Sequence, residues 1–244
     1  MAAIRTTNLT KSYKDLVAVD NLNLTVEDGE LFSLLGVNGA GKTTTVKMLS
    51  TLVKPTSGEA TVCGCALGRE DGKIKELVDI SMQETAIARK LTVRENIELF
   101  ARLAGQKKDE IAETARRIYE DFGLGKVANK KAAELSGGWQ RKLSIALSLV
   151  TRPKLLFLDE PTLGLDVLAR RELWRVIENL KGKMTIVLTT HYMEEAEALS
   201  DRIGIMRDGK LLFIGTKEEL YGKTGKNDVE NAFIEVVSGG DCNA

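Results

Sequence analysis

The sequence contains few cysteines, three in 244 residues. Cys63 and Cys65 form a C-x-C pair, which is a poor match to the C-x-x-C spacing of zinc and redox sites, and no second pair accompanies them. Three cysteines are also too few for a disulfide framework, and free thiols suit a reducing cytoplasm. We therefore expect Cys63 and Cys65 to be small buried or turn residues.

The sequence has no excess charge of either sign, because 35 Lys and Arg residues balance 35 Asp and Glu residues. A zero balance gives no global basic field for nucleic acid or for an anionic membrane, so we expect no nucleic-acid partner. A local patch is compatible with this balance, and the best candidate is the group of Lys126, Lys130 and Lys131. We expect these three lysines to be solvated surface residues.

Long apolar runs are also missing, since none approaches the ~20 residues that a membrane helix needs. The first ten residues include Arg5 but no apolar stretch behind it, which argues against a signal peptide. We therefore expect that the chain does not cross a membrane itself, and that any membrane function comes from a partner. The apolar fraction of 43% is sufficient for a sizeable core, which argues against disorder.

Nearly continuous apolar segments predict strands buried on both faces of a parallel sheet. The first of them, Leu31–Leu35, ends at Gly36 and precedes a helix predicted from about Lys42 to Leu52. Similar strands are predicted at 155–158, 184–188, 203–206 and 211–214, with helices between them at 167–180 and 193–199. A short amphipathic helix is predicted at 228–237.

The remaining segments predict two additions to this α/β core. Short alternating strands at 4–9, 22–26 and 60–62 indicate an antiparallel layer at the N-terminal side. Residues 91–150 have a helical pattern, with a capping box formed by Thr92 and Glu95 and a charged helix at 108–122 that stops at glycine. We see no internal repeat, low-complexity tract or interdomain linker.

Residues 36–44, Gly-Val-Asn-Gly-Ala-Gly-Lys-Thr-Thr, fit the phosphate loop G-x-x-x-x-G-K-[ST] and lie between a predicted strand and a predicted helix. Glycines let the backbone wrap phosphates, the helix N-terminus adds partial positive charge, and Lys42 adds a full charge. The Thr43 hydroxyl is placed to ligate Mg²⁺. The predicted nucleotide-binding residues of this phosphate loop are Gly36, Asn38, Gly39, Ala40, Gly41, Lys42, Thr43 and Thr44. A second Gly-Lys-Thr, at 222–224, lacks the upstream glycine and strand, so we expect a surface turn there.

Two further segments carry chemistry. Residues 155–160, Leu-Leu-Phe-Leu-Asp-Glu, bring Asp159 and Glu160 to the carboxyl edge of the sheet, where open α/β sheets bind ligands; the alternative is a solvated acidic strand end. Residues 135–140, Leu-Ser-Gly-Gly-Trp-Gln, are called here the signature segment. Its serine hydroxyl, its glycine amides and a helix predicted to start near Gln140 make a second anion site. The residues predicted to form that site are Ser136, Gly137 and Gly138.

The phosphate loop, the signature segment and the acidic strand end, in this order, resemble the ATP-binding-cassette (ABC) ATPases from about residue 4 to about residue 220. The resemblance implies a P-loop NTPase core with a mainly parallel sheet, an N-terminal antiparallel β layer and an inserted α-helical subdomain. It implies ATP and Mg²⁺ as cofactors. The expected ATPase domain covers residues 1–238, with the helical subdomain roughly at 88–150 and a flexible tail at 239–244.

The resemblance also implies roles for residues at the sheet edge. Asp159 is expected to hold Mg²⁺, through water. Glu160 is similar to the family's general base, which orients and deprotonates the attacking water. His191, the only histidine, follows a predicted strand where the family keeps a switch histidine that senses the γ-phosphate. A purely structural histidine is the alternative.

Other implied contacts come from outside the core strands. Gln83 matches the Q-loop glutamine, which contacts Mg²⁺ and the attacking water, although Met82 precedes it where proline is common; a plain loop residue is the alternative. Tyr13 stands where the family stacks an aromatic ring on adenine, and a half-exposed core tyrosine is the alternative. Thr44 matches a residue that also reaches phosphate.

The chain has one phosphate loop but two surfaces suited to phosphate. In the family the second surface grips the γ-phosphate bound to another subunit, so two subunits dimerise head to tail around two ATP molecules. Residues 163–166 resemble the D-loop that crosses this interface, and Asp166 belongs to it, although Leu163 stands where serine is more common. We expect a head-to-tail dimer of the chain with itself or with a similar ATPase subunit.

The resemblance predicts a peripheral ATPase subunit at the cytoplasmic face of the cell membrane, which energises a separate membrane-spanning subunit. The segment 83–105 would form the docking groove for that subunit, and residues 92–96 and 228–237 look like the exporter branch. The alternative is a non-transport ABC ATPase that acts on a ribosome, on DNA or on an assembly machinery. A non-hydrolysing nucleotide-binding scaffold is less compatible with the presence of Glu160, His191 and Gln83.

Overall fold

The computed structural model describes residues 1–239, and its strands form two sheets. In chain order the strands are β1 (Ala2–Tyr13), β2 (Leu16–Leu22), β3 (Thr25–Glu27), β4 (Leu31–Leu35), β5 (Ser57–Val62), β6 (Cys65–Ala66), β7 (Val78–Ser81), β8 (Leu155–Asp159), β9 (Thr185–Thr190), β10 (Arg202–Arg207) and β11 (Lys210–Gly215). The α-helices are α1 (Lys42–Leu49), α2 (Asp71–Leu77), α3 (Val93–Leu103), α4 (Lys108–Phe122), α5 (Gly137–Ser148), α6 (Val167–Glu178), α7 (Met193–Leu199), α8 (Lys217–Thr224) and α9 (Val229–Ser238).

The larger sheet carries the functional edge. Its strand order is β11-β10-β4-β9-β8-β7, and all neighbours are parallel except the β10–β11 pair. Every residue of β4, β8 and β9 is buried, as expected for apolar strands covered on both faces. The register pairs Leu35 with Thr190 and Asp159 with Thr189, so the three central strands end side by side.

The smaller sheet is the predicted antiparallel layer. Its order is β2-β1-β5-β6, with β3 also paired to β1, and every pair is antiparallel. Apolar residues of this layer, among them Ile4 and Val62, pack with Phe32 of β4 and Phe157 of β8 in one cluster. The two sheets therefore enclose a shared core, and the predicted fold class is confirmed.

The helical region lies between β7 and β8, because the chain leaves the sheet after Ser81 and returns to it at Leu155. Residues of α3, α4 and α5, among them Ile97, Ile118 and Leu143, pack in one cluster with Leu156 and Leu158 of β8. The predicted capping box starts α3: the Thr92 hydroxyl accepts from the amide of Glu95 at 3.2 Å, and the Glu95 carboxylate accepts from the amide of Thr92 at 2.7 Å. The helical region is thus anchored on the strand that ends at Asp159.

Several predicted boundaries were wrong. Helix α1 ends at Leu49 rather than Leu52, because Thr51 has a left-handed backbone (φ 65°). The predicted strand 22–26 is two strands, and β7, α2 and α8 were not predicted. The second Gly-Lys-Thr, predicted as a surface turn, forms the last turn of helix α8. The Thr216–Glu219 capping box before it could have indicated this helix.

Other expectations concern small features. Cys63 and Cys65 are half-buried free thiols, and Cys63 lies in the tight turn between β5 and β6. The predicted tail begins at Gly239, which caps α9, and its residues 240–244 lie outside the described part. Within residues 1–239, none of the helices is both long and apolar enough to span a lipid bilayer.

Candidate active site

A cavity of about 600 Å³ opens at the carboxyl edge of the larger sheet. It brings together most of the residues that the sequence predicted. The predicted residues in its lining are Tyr13, Asn38, Gly39, Ala40, Gly41, Lys42, Thr43, Thr44, Gln83, Glu160 and His191. The lining also includes Leu16, Val17 and Ala18 beside Tyr13, which is 43% exposed. An exposed ring next to apolar side chains is suited to stacking on a planar base.

The phosphate loop can be tight only because two positions lack a side chain. A Cβ on Gly36 would lie 2.4 Å from the carbonyl oxygen of Met206. Gly41 has φ 103°, and a Cβ there would lie 2.5 Å from the carbonyl oxygen of Ala18. Gly41 is the N-cap of α1 and supplies no side-chain cap, so the first amides of the helix remain available to an anion.

Lys42 is buried at the start of α1, with 5% of its surface exposed. Its ammonium donates to the carbonyl oxygens of Gly36 at 2.7 Å and Val37 at 3.2 Å, both in the same loop. It also lies 3.3 Å from Glu160 Oε1. A buried cation with these partners is stabilised in place, and it points its charge into the cavity floor.

Glu160 follows the last residue of β8 and is held at both of its carboxylate oxygens. Oε1 faces Lys42, and Oε2 lies 2.5 Å from Nδ1 of His191, which follows β9. The backbone of Glu160 is left-handed (φ 49°), a conformation that costs roughly 1–2 kcal/mol for a residue with a Cβ. Its amide donates to the carbonyl and hydroxyl oxygens of Thr189, both at 3.1 Å, which holds this conformation.

The residues at the end of β8 fit a magnesium ion. The Thr43 hydroxyl donates to Asp159 Oδ1 at 3.1 Å, and the Thr189 hydroxyl donates to the same oxygen at 2.5 Å. Asp159 Oδ2 is buried and, within the described residues, has no hydrogen-bond partner. One carboxylate oxygen left unpaired beside a hydroxyl suits Mg²⁺, which binds through one or two carboxylates together with substrate phosphates and water.

Four predicted residues lie away from this cavity. Ser136 and Gly137 are exposed, and α5 begins at Gly137, three residues earlier than the predicted start near Gln140. Ser136 is the N-cap of α5 but makes no side-chain cap, so the first amides of the helix lack a side-chain partner at this exposed end, and Gly138 is half-buried against Ala169. Asp166 caps α6 by accepting from the amides of Leu168 and Ala169, both at 2.9 Å. Their predicted contacts with a second subunit stay predictions.

Two residues that hold the catalytic carboxylates in place, Thr189 and Arg141, were not predicted. Thr189 contacts both Asp159 and Glu160, but a threonine at a strand end is ordinary in sequence. Arg141, on α5, contacts backbone oxygens on both sides of the site. Contacts with backbone oxygens of distant segments leave no local pattern, so no sequence signal could have found Arg141.

Comparison with known proteins assigns the family. The sequence model of the ABC transporter family matches residues 19–163. The chain is 40% identical over 240 residues to the probable multidrug ABC transporter ATP-binding protein YbhF of Escherichia coli (strain K12). This match covers 96% of this chain and 41% of YbhF. The chain is also 39% identical over 226 residues to the daunorubicin/doxorubicin resistance ATP-binding protein DrrA of Streptomyces peucetius. That match covers 92% of this chain and 68% of DrrA.

A solved structure agrees with this assignment. The dimeric structure of a post-hydrolysis state of the ATP-binding cassette MJ0796 bound to ADP and Pi matches with a TM-score of 0.77 and 27% identity, over 87% of this chain and 98% of that one. The chain belongs to the ABC transporter family and is an ATPase domain whose cofactors are ATP and Mg²⁺. It spans about two fifths of the length of YbhF.

Proposed function

We propose that this chain is the ATP-hydrolysing subunit of an ABC exporter, and that it energises a separate membrane-spanning subunit. The convergence of Lys42, Glu160 and His191 on one cavity, with Asp159 bonded to the Thr43 hydroxyl beside it, carries the hydrolytic part of the proposal. The transport part is supported by the names of YbhF and DrrA, a probable multidrug transporter protein and a drug-resistance protein. These relatives give no support to the non-transport alternative.

The geometry suggests how hydrolysis proceeds. Glu160 takes the proton of the attacking water, because its carboxylate lies at the cavity wall and His191 fixes one of its oxygens. Lys42 and the first amides of α1 stabilise the charge that develops on the phosphate oxygens. Mg²⁺, which Thr43 and Asp159 would hold with Gln83 nearby, would neutralise the phosphate charge.

The outward-facing N-terminus of α5 supports a head-to-tail dimer. Ser136, Gly137 and Gly138 together form an uncapped helix start, which is a second place for an anion on a chain whose own phosphate loop is elsewhere. A second copy, or a similar ATPase subunit, would bring its bound γ-phosphate to this start. MJ0796, a structural relative, is described as dimeric.

A groove of about 390 Å³ supports docking to a membrane subunit. It lies between the end of β7 and α3 and is lined by residues that include Met82, Phe100 and Leu103. Leu103 is 75% exposed, so an apolar helix placed here would bury surface that water now covers. The chain would then work as a peripheral subunit at the cytoplasmic face of the cell membrane.

Purification from native membranes tests this proposal. The tagged chain, extracted with mild detergent, is expected to carry a multi-span membrane protein with it and to hydrolyse ATP only when Mg²⁺ is present. Membranes washed in EDTA should lose the activity and recover it when Mg²⁺ returns. Recovery of the chain with ribosomes or DNA, and without a membrane protein, would contradict the transport assignment.

A further inference from the structure

Arg141 is a buried cation whose hydrogen-bond donors are all directed at backbone oxygens. Nε donates to the carbonyl of Pro161 at 2.7 Å. Nη1 donates to the carbonyls of Met82 at 2.6 Å and Gln83 at 3.0 Å, and Nη2 donates to those of Asp159 at 2.9 Å and Glu160 at 3.2 Å. A guanidinium has five N–H donors, so these five acceptors use its full capacity.

These contacts join three segments of the chain. Met82 and Gln83 belong to the loop after β7, whereas Asp159 ends β8 and Glu160 and Pro161 form the turn after it. Arg141 itself lies on α5, whose first turn is the outward-facing anion site. The guanidinium is therefore the point at which the Gln83 loop, the Glu160 turn and the helix that faces a partner are held together.

Because Arg141 is buried, its donors need protein acceptors in place of water. Arg141 is 5% exposed, and desolvation lowers the pKa of its guanidinium to about 10. No carboxylate forms an ion pair with it within residues 1–239. The carbonyl groups satisfy its N–H donors, and the nearby charges of Asp159 and Glu195 favour its charged form. Moving either segment away would leave a buried donor unpaired, which is unfavourable.

We propose that Arg141 is a positioning residue for ATP hydrolysis, which fixes Gln83 relative to Glu160 and links both to the signature segment. The inference rests on the hydrolytic function proposed above. A planar guanidinium binds one carbonyl pair at each of its two terminal nitrogens, whereas the three donors of a lysine ammonium diverge from one atom and cannot reach both pairs. Arg141→Lys therefore keeps the charge and removes the link.

The main test is a double-mutant cycle with Gln83→Ala. Turnover is divided by the number of subunits that bind ATP, so that an unfolded fraction does not count. We expect Arg141→Lys to lower kcat about 10-fold or more, with the Kd for ATP within twofold of the parent. We also expect the double variant Arg141→Lys/Gln83→Ala to fall no more than about twofold below the slower single variant, because both changes remove the same placement.

Lys142→Gln is the matched control. Lys142 is the next residue on α5 and is also buried, but its ammonium pairs with Glu172 at 2.8 Å and lies over the ring of Trp139, away from the catalytic turn. This variant should lose thermal stability and keep kcat within twofold. If Lys142→Gln slows hydrolysis as much as Arg141→Lys does, the effect belongs to α5 in general and the proposal is wrong.

Each remaining outcome decides the question. Losses that multiply in the double variant mean that Arg141 acts independently of Gln83 and overturn the proposal. The proposal is also overturned if the loss of turnover disappears when turnover is divided by the number of ATP-binding subunits. It is overturned as well if no Arg141→Lys subunit binds ATP, because the role of Arg141 is then only structural. A parent protein without Mg²⁺-dependent ATPase activity would instead refute the proposed function, before any variant is compared.

Discussion

Glu160 illustrates how much of this site depends on single side chains. Its two oxygens are taken by Lys42 and His191, and its amide is taken by Thr189, so the carboxylate has little freedom to turn. A base that is fixed in this way can act without reorganising when the substrate arrives. The cost is a buried charge cluster in which each member depends on the others.

We predict that Glu160→Gln keeps ATP affinity and lowers turnover by roughly 10²–10⁴-fold, the usual range for a general base. The amide preserves the shape of the side chain but cannot accept the proton of the water. Steady-state ATPase assays and ATP-binding calorimetry measure the two quantities. Glu194→Gln, the same change on an exposed residue of α7, serves as the control and should behave like the parent. Turnover of Glu160→Gln within threefold of the parent would refute the assignment.

The buried carboxyl group of Glu195 should make the stability of the folded protein depend on pH. It is completely buried, and its Oε1 accepts from Trp174 Nε1 at 3.0 Å. Burial raises the pKa of this carboxyl above its ordinary value of 4.5, and the nearby charge of Glu160 adds to the shift. The folded protein therefore keeps a proton that the unfolded chain loses, so this group makes stability fall as the pH rises from about 4.5 through the raised pKa.

The variant Glu195→Gln lacks this titration. We expect the free energy of unfolding of Glu195→Gln, relative to that of the parent, to increase as the pH is raised from 5 to 8. The reason is that only the parent carries the buried carboxyl group, whose raised pKa makes the parent less stable as the pH rises. Urea unfolding at several pH values gives the difference. A difference that stays constant across this range would show that Glu195 has the same pKa in both states.

At the scale of secondary structure, the boundaries were predictable where one physical rule dominated. Leu31–Leu35 was predicted to the residue because its apolar run is bounded by a charged residue and a glycine. Helix α4 was predicted equally well because Gly123 adopts a left-handed C-cap. Strand β7 has only four residues, too few for alternation to be distinguished from a loop, and its place in the sheet depends on pairing with β8. Pairing between distant strands is invisible to a local reading.

We predict that the capping box of α3 contributes measurably to stability. Thr92→Ala removes the hydroxyl that accepts from the Glu95 amide and should cost about 1 kcal/mol, or roughly 2–4 °C in Tm for a chain of this size. Thr7→Ala is the control, since Thr7 is exposed on β1 and its hydroxyl forms no hydrogen bond within the described residues. Equal Tm values for Thr92→Ala and Thr7→Ala would contradict this role.

For the whole molecule, the sequence predicted which residues lie together at the sheet edge. It did not predict the hydrogen bonds that hold the loop after β7, the turn after β8 and helix α5 together. The cavity residues were predictable because strand-end residues of a parallel sheet meet at one edge. The link through Arg141 was not, because it joins residues about 60 positions apart through backbone atoms. The predicted contacts of Ser136 and Asp166 with a second chain stay predictions, because they lie outside the geometry of one chain.

A mixing experiment tests whether two chains share each site. Ser136→Arg places a bulky cation at the expected position of the opposing γ-phosphate, and Lys42→Ala should weaken ATP binding about 10-fold or more. Each variant should be inactive alone. A mixed dimer contains one doubly damaged site and one intact site, so some ATPase activity should return on mixing.

The control for this experiment is Ser57→Arg, which adds the same side chain to an exposed position of β5 and should stay active. If the signature segment served the nucleotide of its own chain, every site in the mixture would carry one lesion and no activity would return. Full activity of Ser136→Arg alone would refute the shared site outright.

The place of Arg141 along α5 has a mechanical consequence. Ser136 lies five residues before it, about 7.5 Å along a helix that rises 1.5 Å per residue. If the guanidinium acts as a pivot, a tilt of α5 by about 10° moves the serine by about 1.3 Å and leaves the turn at Glu160 nearly stationary. The helix then turns about the catalytic turn, and its shorter arm carries the surface that is predicted to face a second chain.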